Sequence, residues 1–360
     1  MFDQEIQIVS ELKAGKEGTV EWTSPSNIAL IKYWGKKEHQ IPRNPSLSFS
    51  LEKSRTVTQL KYNLKEKPDF SWRFQFEGVE NKGFETKLKM FFGSILEHLP
   101  YLSYTHLEIK SHNTFPHSTG IASSASAMSA LALCLLDIGY QLAGKTTHTV
   151  EFFRKASYIA RLGSGSAARS VFPGFALWGS SEEIPGSDDH FALGIPLKKD
   201  SFFHGLRDAV LIVSSGTKKV SSSQGHDLMK TNPYATLRYQ HARENLERLL
   251  SALNREDKEE FIRIVENEAL TLHGLMMSSD PGFILMKNGS IEIIGKIQDF
   301  RKSTGIFMAF TLDAGPNVHL IYHEKDQEII SEFINTELIT FLENQTIIWD
   351  RLGQGPLKTL

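Results

Sequence analysis

The chain has 360 residues, 40% of them hydrophobic, and a formal net charge of −2. At ~100–200 residues per domain this length suits two domains with ample core. The near-neutral balance excludes a global basic field of the kind that draws nucleic acid, and a single cysteine, Cys134, excludes a disulfide framework or a multi-cysteine zinc site.

Residues 1–18 are charged, lack the apolar core of a signal peptide and read as an N-terminal extension. Strands are expected at 19–24 and 27–34. Residues 46–51 alternate as Ser-Leu-Ser-Phe-Ser-Leu, the pattern of a half-buried strand. Residues 56–62 and 70–76 alternate too, the second with Phe70, Trp72, Phe74 and Phe76 on one face. An antiparallel, strand-rich block is therefore expected at the start. An amphipathic helix is expected over 84–99, with Leu88, Phe91, Phe92, Ile95 and Leu99 at helical spacing. A strand follows at 105–110, then a hydroxyl-rich turn, then a long helix over 123–142 that buries Cys134. A helix at 149–161, a small-residue loop at 162–170 and a strand at 174–178 complete the first half.

The polar stretch 180–200 marks a domain boundary. Beyond it, strands are expected at 209–214, 307–312, 318–322 and 346–349. Helices are expected at 222–229, 234–253, 256–277, 281–300 and 327–343, with Pro281 in a first helical turn. No apolar run approaches the ~20 residues that span a bilayer, and the reading is a soluble, cytoplasmic protein.

Several nucleotide and hydrolase signatures are absent. There is no G-x-x-x-x-G-K-[ST], no G-x-G-x-x-G opening a helix, no G-x-S-x-G and no H-E-x-x-H. The thirteen histidines show no metal-ligand spacing. Four short stretches remain. Residues 116–124 enter a helix with Gly120 for an unusual backbone angle, and with Ser123 and Ser124 available to phosphates or Mg²⁺; a plain strand-to-helix turn fits the composition equally well. Lys32 and Lys36 flank Tyr33 and Trp34, which suits a phosphate or a solvated turn. Arg169 follows Gly163-Ser164-Gly165-Ser166, where a planar fork can grip an anion. Asp313 ends an apolar strand before Ala314-Gly315-Pro316, as an N-cap or turn residue, or as a general base or electrostatic partner held on a rigid strand end.

Read together, these stretches resemble the mevalonate diphosphate decarboxylase family. The segment from Ser26 through Lys32-Tyr33-Trp34-Gly35-Lys36 is similar to its N-terminal signature. Phe115-Pro116 with Gly120, Ala122, Ser123, Ser124 and Ala125 resembles the ATP loop of the wider GHMP kinase superfamily. Gly163-Ser164-Gly165-Ser166-Ala167-Ala168-Arg169-Ser170 resembles the substrate loop. Val220-Ser221-Ser222-Ser223-Gln224-Gly225 and Asp313-Ala314-Gly315-Pro316-Asn317 resemble the C-terminal motifs. The likeness runs in order over residues 20–350. It departs from the family pattern at His117-Ser118-Thr119, in a short interval between Lys36 and Pro42, and in having only Lys82, Lys87 and Lys89 where an arginine is usual.

The resemblance implies an α+β, two-lobe GHMP fold. Its first lobe would resemble the second domain of ribosomal protein S5, its second a ferredoxin-like α/β sandwich, and the active-site cleft would lie between them. The expected division is 1–18 extension, 19–200 ATP-binding domain and 201–360 C-terminal domain. It implies ATP-dependent decarboxylation of mevalonate 5-diphosphate to isopentenyl diphosphate. Catalytic roles would fall to Asp313, Arg169, Lys32 and Ser124. Tyr33, Trp34, Gly35, Lys36, Ser164, Gly165, Ser166, Ala167, Ala168, Arg169, Ser222 and Ser223 would bind substrate. Pro116, Gly120, Ala122, Ser123 and Ser124 would bind ATP, with Ser124 at Mg²⁺. A homodimer, with neither nucleic-acid nor membrane partners, is implied too. Alternatives are a sister enzyme (a decarboxylase of mevalonate monophosphate or bisphosphate, or a mevalonate 3-kinase) and a catalytically silent binding or scaffold relative.

Overall fold

The computed structural model describes residues 14–80, 82–116, 121–216 and 222–360. The first lobe holds β1 (Glu17–Ala29), β2 (Ser46–Leu64), β3 (Ser71–Phe76), α1 (Lys82–Ile95), β4 (Thr105–Asn113), α2 (Ser123–Leu142), α3 (Val150–Gly163), β5 (Phe175–Trp178) and β6 (Ala192–Ile195). The second holds β7 (Leu206–Leu211), α4 (Ser222–Leu228), α5 (Ala235–Arg255), α6 (Lys258–Met277), α7 (Asn288–Thr304), β8 (Met308–Thr311), β9 (Val318–His323), α8 (Gln327–Phe333) and β10 (Ile347–Arg351). A last strand, β11 (Leu357–Lys358), returns to the first lobe and pairs with β1.

The first sheet has the order β11-β1-β2-β4-β3, with β5 and β6 continuing from β2. The strands expected at 46–51 and 56–62 are one bent strand, β2. Its first part pairs with β5 and its later part with β4. The bend spans Glu52, Lys53 and Ser54, whose N–H groups all donate to the Asp350 carboxylate at 2.8 Å. A single acceptor from β10 thus satisfies the backbone where the ladder is interrupted. β1 shifts register between Pro25 and Asn27, a bulge that re-aims Asn27 toward the small-residue loop.

Two expectations for this lobe are corrected. β3 pairs with β4 in parallel, not antiparallel, because α1 supplies the crossover that a parallel neighbour needs. The Ser46, Ser48 and Ser50 face of β2 is buried, not half exposed. α1, α2 and α3 cover the sheet and bury Trp22, Leu60, Leu107, Leu133, Phe152 and Ile159 in one core. α2 is long and apolar enough to cross a membrane, against the expectation of no such run, yet 83% of its apolar window is buried inside the lobe. It is the lobe's central helix.

The second sheet has the order β10-β7-β9-β8. Its strands alternate between two layers. Val210, Ala309 and Ile321 face α5 and α6, while Leu211, Phe310 and Leu320 face α7 and α8. Leu47 and Phe49 of β2 share the first of these cores with Leu246, Leu249 and Ile264. Each such side chain contributes about 1.5–3 kcal/mol on burial, so the lobes are joined by apolar packing and not by a linker. Pro281 does not open a helix: it follows a cis peptide bond, and α7 starts at Asn288. The intervening chain turns back on α6, where Phe283 N–H donates to the Met276 carbonyl at 3.1 Å. α8 stops at Phe333 and continues as a π turn over Ile334–Leu338.

Asp350 is 4% exposed and also accepts its neighbour Arg351 N–H. Asp350→Ala should therefore lower stability by about 1–3 kcal/mol, the cost of orphaning one buried donor and weakening three part-buried ones. Urea denaturation of the full chain checks this; an unchanged midpoint would show that water replaces the carboxylate.

Candidate active site

A cleft of about 1240 Å³ separates the lobes. Lys32 lies on its floor, just past the end of β1, and its side chain is 2% exposed. Its Nζ donates to Asp313 Oδ1 at 3.0 Å. Burial pushes the Lys32 pKa below its ordinary value, and Asp313 opposes that shift. Asp313 comes from the turn after β8, and the neutral imidazole of His273 steadies it by donating to the Asp313 carbonyl at 3.2 Å. Burial holds His273 down to about 4.

The backbone of Lys32 is held as tightly as its side chain. Its N–H donates to Glu268 Oε2 at 2.9 Å, and its carbonyl accepts from Asn44 and from Arg238. Glu268, on α6, is fully buried. Arg238 on α5 grips it with two bonds of 2.7 and 2.6 Å, and Asn245 adds a third. Burial would raise the Glu268 pKa, but Arg238 and the hydrogen bonds outweigh it and keep the group below its ordinary value.

Arg169 ends a 3₁₀ turn at Gly165–Arg169 and is 2% exposed. Its guanidinium donates to Ser46 and Ser48 of β2 and to Asn27 at the β1 bulge. These partners are neutral, and among the described residues Arg169 makes no ion pair. Burial pushes its pKa down to about 10, which leaves it charged at neutral pH. Its positive field is therefore available to an anion in the cleft. Tyr33 packs edge-on to Trp178 at 4.7 Å, and its hydroxyl is buried with no partner among the described residues. Gly165 allows that approach, since a Cβ there would lie 2.9 Å from the Tyr33 ring.

Ser164 links the two halves of the cleft, with hydroxyls of Ser124 and Ser166 each 3.4 Å away. Ala122, Ser123 and Ser124 open α2 at the cleft wall. Beyond them Phe74, Phe76, Phe84, Met90 and Phe91 line an apolar arm with Lys87 at its side. At the other end Lys36, Lys37, Arg43 and Lys230 form a cationic mouth. The half-buried Lys36 has a lowered pKa, chiefly from burial, with Asp227 opposing.

The structure brings Lys32, Tyr33, Lys36, Ser123, Ser124, Ser164, Gly165, Ser166, Arg169 and Asp313 to one cleft. Trp34 reaches its edge but mainly packs on Met229, Leu272 and Met276. Gly35 forms the turn behind the wall. Ala167 and Ala168 are fully buried side chains in the packing behind the loop, and Pro116 is exposed away from the cleft lining. Gly120 and the side chains of Ser222 and Ser223 lie outside the described residues.

Sequence reasoning missed Asn27, Ser46, Ser48, His226, Arg238, Glu268 and His273. One signal was present: Glu268 continues the helical stripe Phe261, Ile264, Val265, Leu272, where a carboxylate implies a buried partner.

Comparison with known proteins follows the same layout. The family model described as "Diphosphomevalonate decarboxylase-like N-terminal domain" matches residues 24–192, and that of the "Mevalonate 5-diphosphate decarboxylase C-terminal domain" matches 209–352. The diphosphomevalonate decarboxylase of Aspergillus fumigatus is 30% identical, over 88% of this chain and 80% of its own. The chain belongs to the diphosphomevalonate decarboxylase family.

The Saccharomyces cerevisiae family member is also 30% identical, over 88% of this chain and 81% of its own. Among solved structures, the mevalonate diphosphate decarboxylase of Staphylococcus aureus superposes with a TM-score of 0.81 at 28% identity, covering 96% of this chain and 99% of that one. A structure described as "MDDEF in complex with MVAPP, AMPPCP and Magnesium" gives 0.80 at 27% identity, covering 95% and 99%. The expected two-lobe α+β fold is thus the family fold.

The Lys32–Asp313 pair has a pH signature. Lys32 holds Asp313 only while protonated, and its pKa lies below the ordinary 10.5. The alkaline limb of kcat/KM should therefore begin below that value. Lys32→Arg, whose guanidinium stays charged, should remove this limb in whatever activity remains; a limb of unchanged position would assign it to another group.

Proposed function

We infer that this chain decarboxylates mevalonate 5-diphosphate to isopentenyl diphosphate, with ATP as phosphoryl donor. The observation that carries the reading is the Lys32–Asp313 ion pair on the floor of a cleft with cationic and hydroxyl-rich walls, in a member of this family. The γ-phosphoryl group passes to the 3-hydroxyl oxygen, with the P–O bond to ADP breaking and the hydroxyl proton lost to solvent. The new phosphate then leaves with the electrons of its C–O bond, and the carboxylate's C–C electrons form the double bond as CO₂ departs. ADP, phosphate and CO₂ are released together.

Phosphoryl transfer needs positioning and charge neutralisation more than covalent chemistry. The first turn of α2 suits the triphosphate, because Ala122, Ser123 and Ser124 line the cleft at a helix N-terminus. The aromatic arm beside Lys87 suits the adenine ring. Lys36, Arg169, Tyr33 and the Ser164–Ser166 loop suit the diphosphate and carboxylate. Asp313 orients the 3-hydroxyl. Because an ammonium group holds it 3.0 Å away, it serves better as a fixed anion than as a strong base. A fixed anion beside an electron-poor carbon is electrostatic catalysis.

Among the described residues no cluster of three or more His, Cys, Asp or Glu stands ready for a metal. The exposed Ser124 hydroxyl on the nucleotide wall fits Mg²⁺, which takes few protein ligands beside phosphate oxygens. Bound there with the nucleotide, the ion would neutralise phosphate charge. A cytoplasmic homodimer completes the proposal. The buried, unpaired Cys134 agrees with a reducing compartment, and sedimentation velocity would test the dimer.

The deciding assay follows ADP, phosphate and CO₂ with Mg-ATP and mevalonate 5-diphosphate. Equal release of all three is expected. ADP without CO₂ would make the chain a kinase, and turnover only with the monophosphate would make it a sister decarboxylase. Asp313→Ala should fold and bind ATP yet lose on the order of 10³-fold in kcat; near-normal turnover would remove it from the mechanism. Arg169→Lys should also be slow, since lysine cannot reproduce the fork that spans Ser46, Ser48 and Asn27.

A further inference from the structure

His226 plays no part in the chemistry above, yet it occupies the substrate end of the cleft. It lies on α4, is 8% exposed and lines the cleft wall. Its ring packs against consecutive aromatic residues of the first lobe, Tyr33 at 4.3 Å and Trp34 at 4.8 Å between centroids. Among the described residues its one hydrogen bond is at Nδ1, which accepts the Gly35 N–H at 2.9 Å.

Gly35 is the pivot of the cationic turn. Its φ is +97°, and Tyr239 closes the space a Cβ would need. The Gly35 carbonyl also accepts the Arg43 N–H at 3.2 Å. The direction in which Lys36 leaves the turn follows from how this peptide is held. An accepting Nδ1 carries no proton, so the neutral ring has its proton on Nε2. Burial, reinforced by the Lys36 charge, holds His226 down to about 3. The accepting lone pair therefore persists at any neutral pH.

We propose that His226 is a positioning residue for substrate binding: by accepting the Gly35 N–H between the Tyr33 and Trp34 rings, it sets the turn that aims Tyr33 and Lys36 at the anionic end of the substrate. The inference rests on the reading of mevalonate 5-diphosphate as that substrate. It places the control of substrate affinity on an interlobe contact, since His226 and the turn belong to different lobes. Nucleotide binding, at the far arm of the cleft, does not depend on it.

The test separates acceptor from filler. Leucine at this site fills space but leaves the Gly35 N–H without an acceptor. Asparagine carries a side-chain oxygen as many bonds from Cβ as Nδ1. His226→Leu should raise the KM for mevalonate 5-diphosphate about tenfold, the size of one lost buried hydrogen bond, with kcat and the KM for ATP little changed. His226→Asn should recover most of that loss. In the unliganded wild type, long-range ¹⁵N–¹H correlation should show the Nε2–H tautomer. An unchanged substrate KM in His226→Leu, a parallel rise in both KM values, or a proton on Nδ1 would each overturn the proposal. If His226→Leu fails to fold, His226→Asn and the tautomer decide. A wild type that is silent with the diphosphate would instead sink the functional reading, and the tautomer would still report on the turn.

Discussion

A carboxylate with no solvent exposure is costly unless its charge is met, and Glu268 is met completely. Arg238 supplies two of its hydrogen bonds, Asn245 a third and the Lys32 N–H a fourth. Such a pair adds little net stability over an apolar packing of the same volume. What it provides is position. The helices of the second lobe thereby dictate where a backbone segment of the first lobe sits, to within the length of a hydrogen bond. Lys32 then has one place to project its ammonium, and Asp313 is at that place. Loss of either partner of the buried pair would strand a charge and release Lys32 at the same time.

The cleft divides electrostatically along its length. Lys36, Lys37, Arg43 and Lys230 gather at the mouth, Arg169 lies behind the floor, and Asp313 is the anion paired on the floor itself. On the function proposed above, an anionic substrate would be drawn by the cations yet meet a negative group at its reacting carbon. That arrangement would separate binding from chemistry: cations would hold the ends of the molecule while the carboxylate acts in the middle. Arg169 can serve because its partners are serine and asparagine oxygens, which satisfy its N–H groups without cancelling its charge.

Much of this was legible in the residues. The strands at 105–110 and 318–322 and the helix at 123–142 lie where the sequence places them, and the short motifs around Lys32, Gly163, Arg169 and Asp313 converge on one cleft. What escaped had physical reasons. Alternation in Ser46–Leu51 marks a strand but cannot say that the serine face is covered by Arg169. The break over Glu52–Ser54 splits β2 into two expected strands because its acceptor, Asp350, lies about three hundred residues away. The parallel placement of β3 depends on α1 crossing over, not on its own pattern. Glu268 and Arg238 lie on antiparallel helices, and only packing brings them together. His226 carries no local signal, because its role comes from rings on another lobe.

β11 pairs Trp22 with Lys358 and Thr23 with Leu357, and Lys358 also reaches the buried Asp137 of α2. The first lobe is therefore sealed by a strand that emerges from the ribosome after every element of the second. Until then β1 stands as an open sheet edge, able to pair with another chain. Although the lobes are distinct in space, the chain cannot finish the first before it makes the second. The covering of that edge is therefore tied to a segment that follows the whole second lobe in the chain.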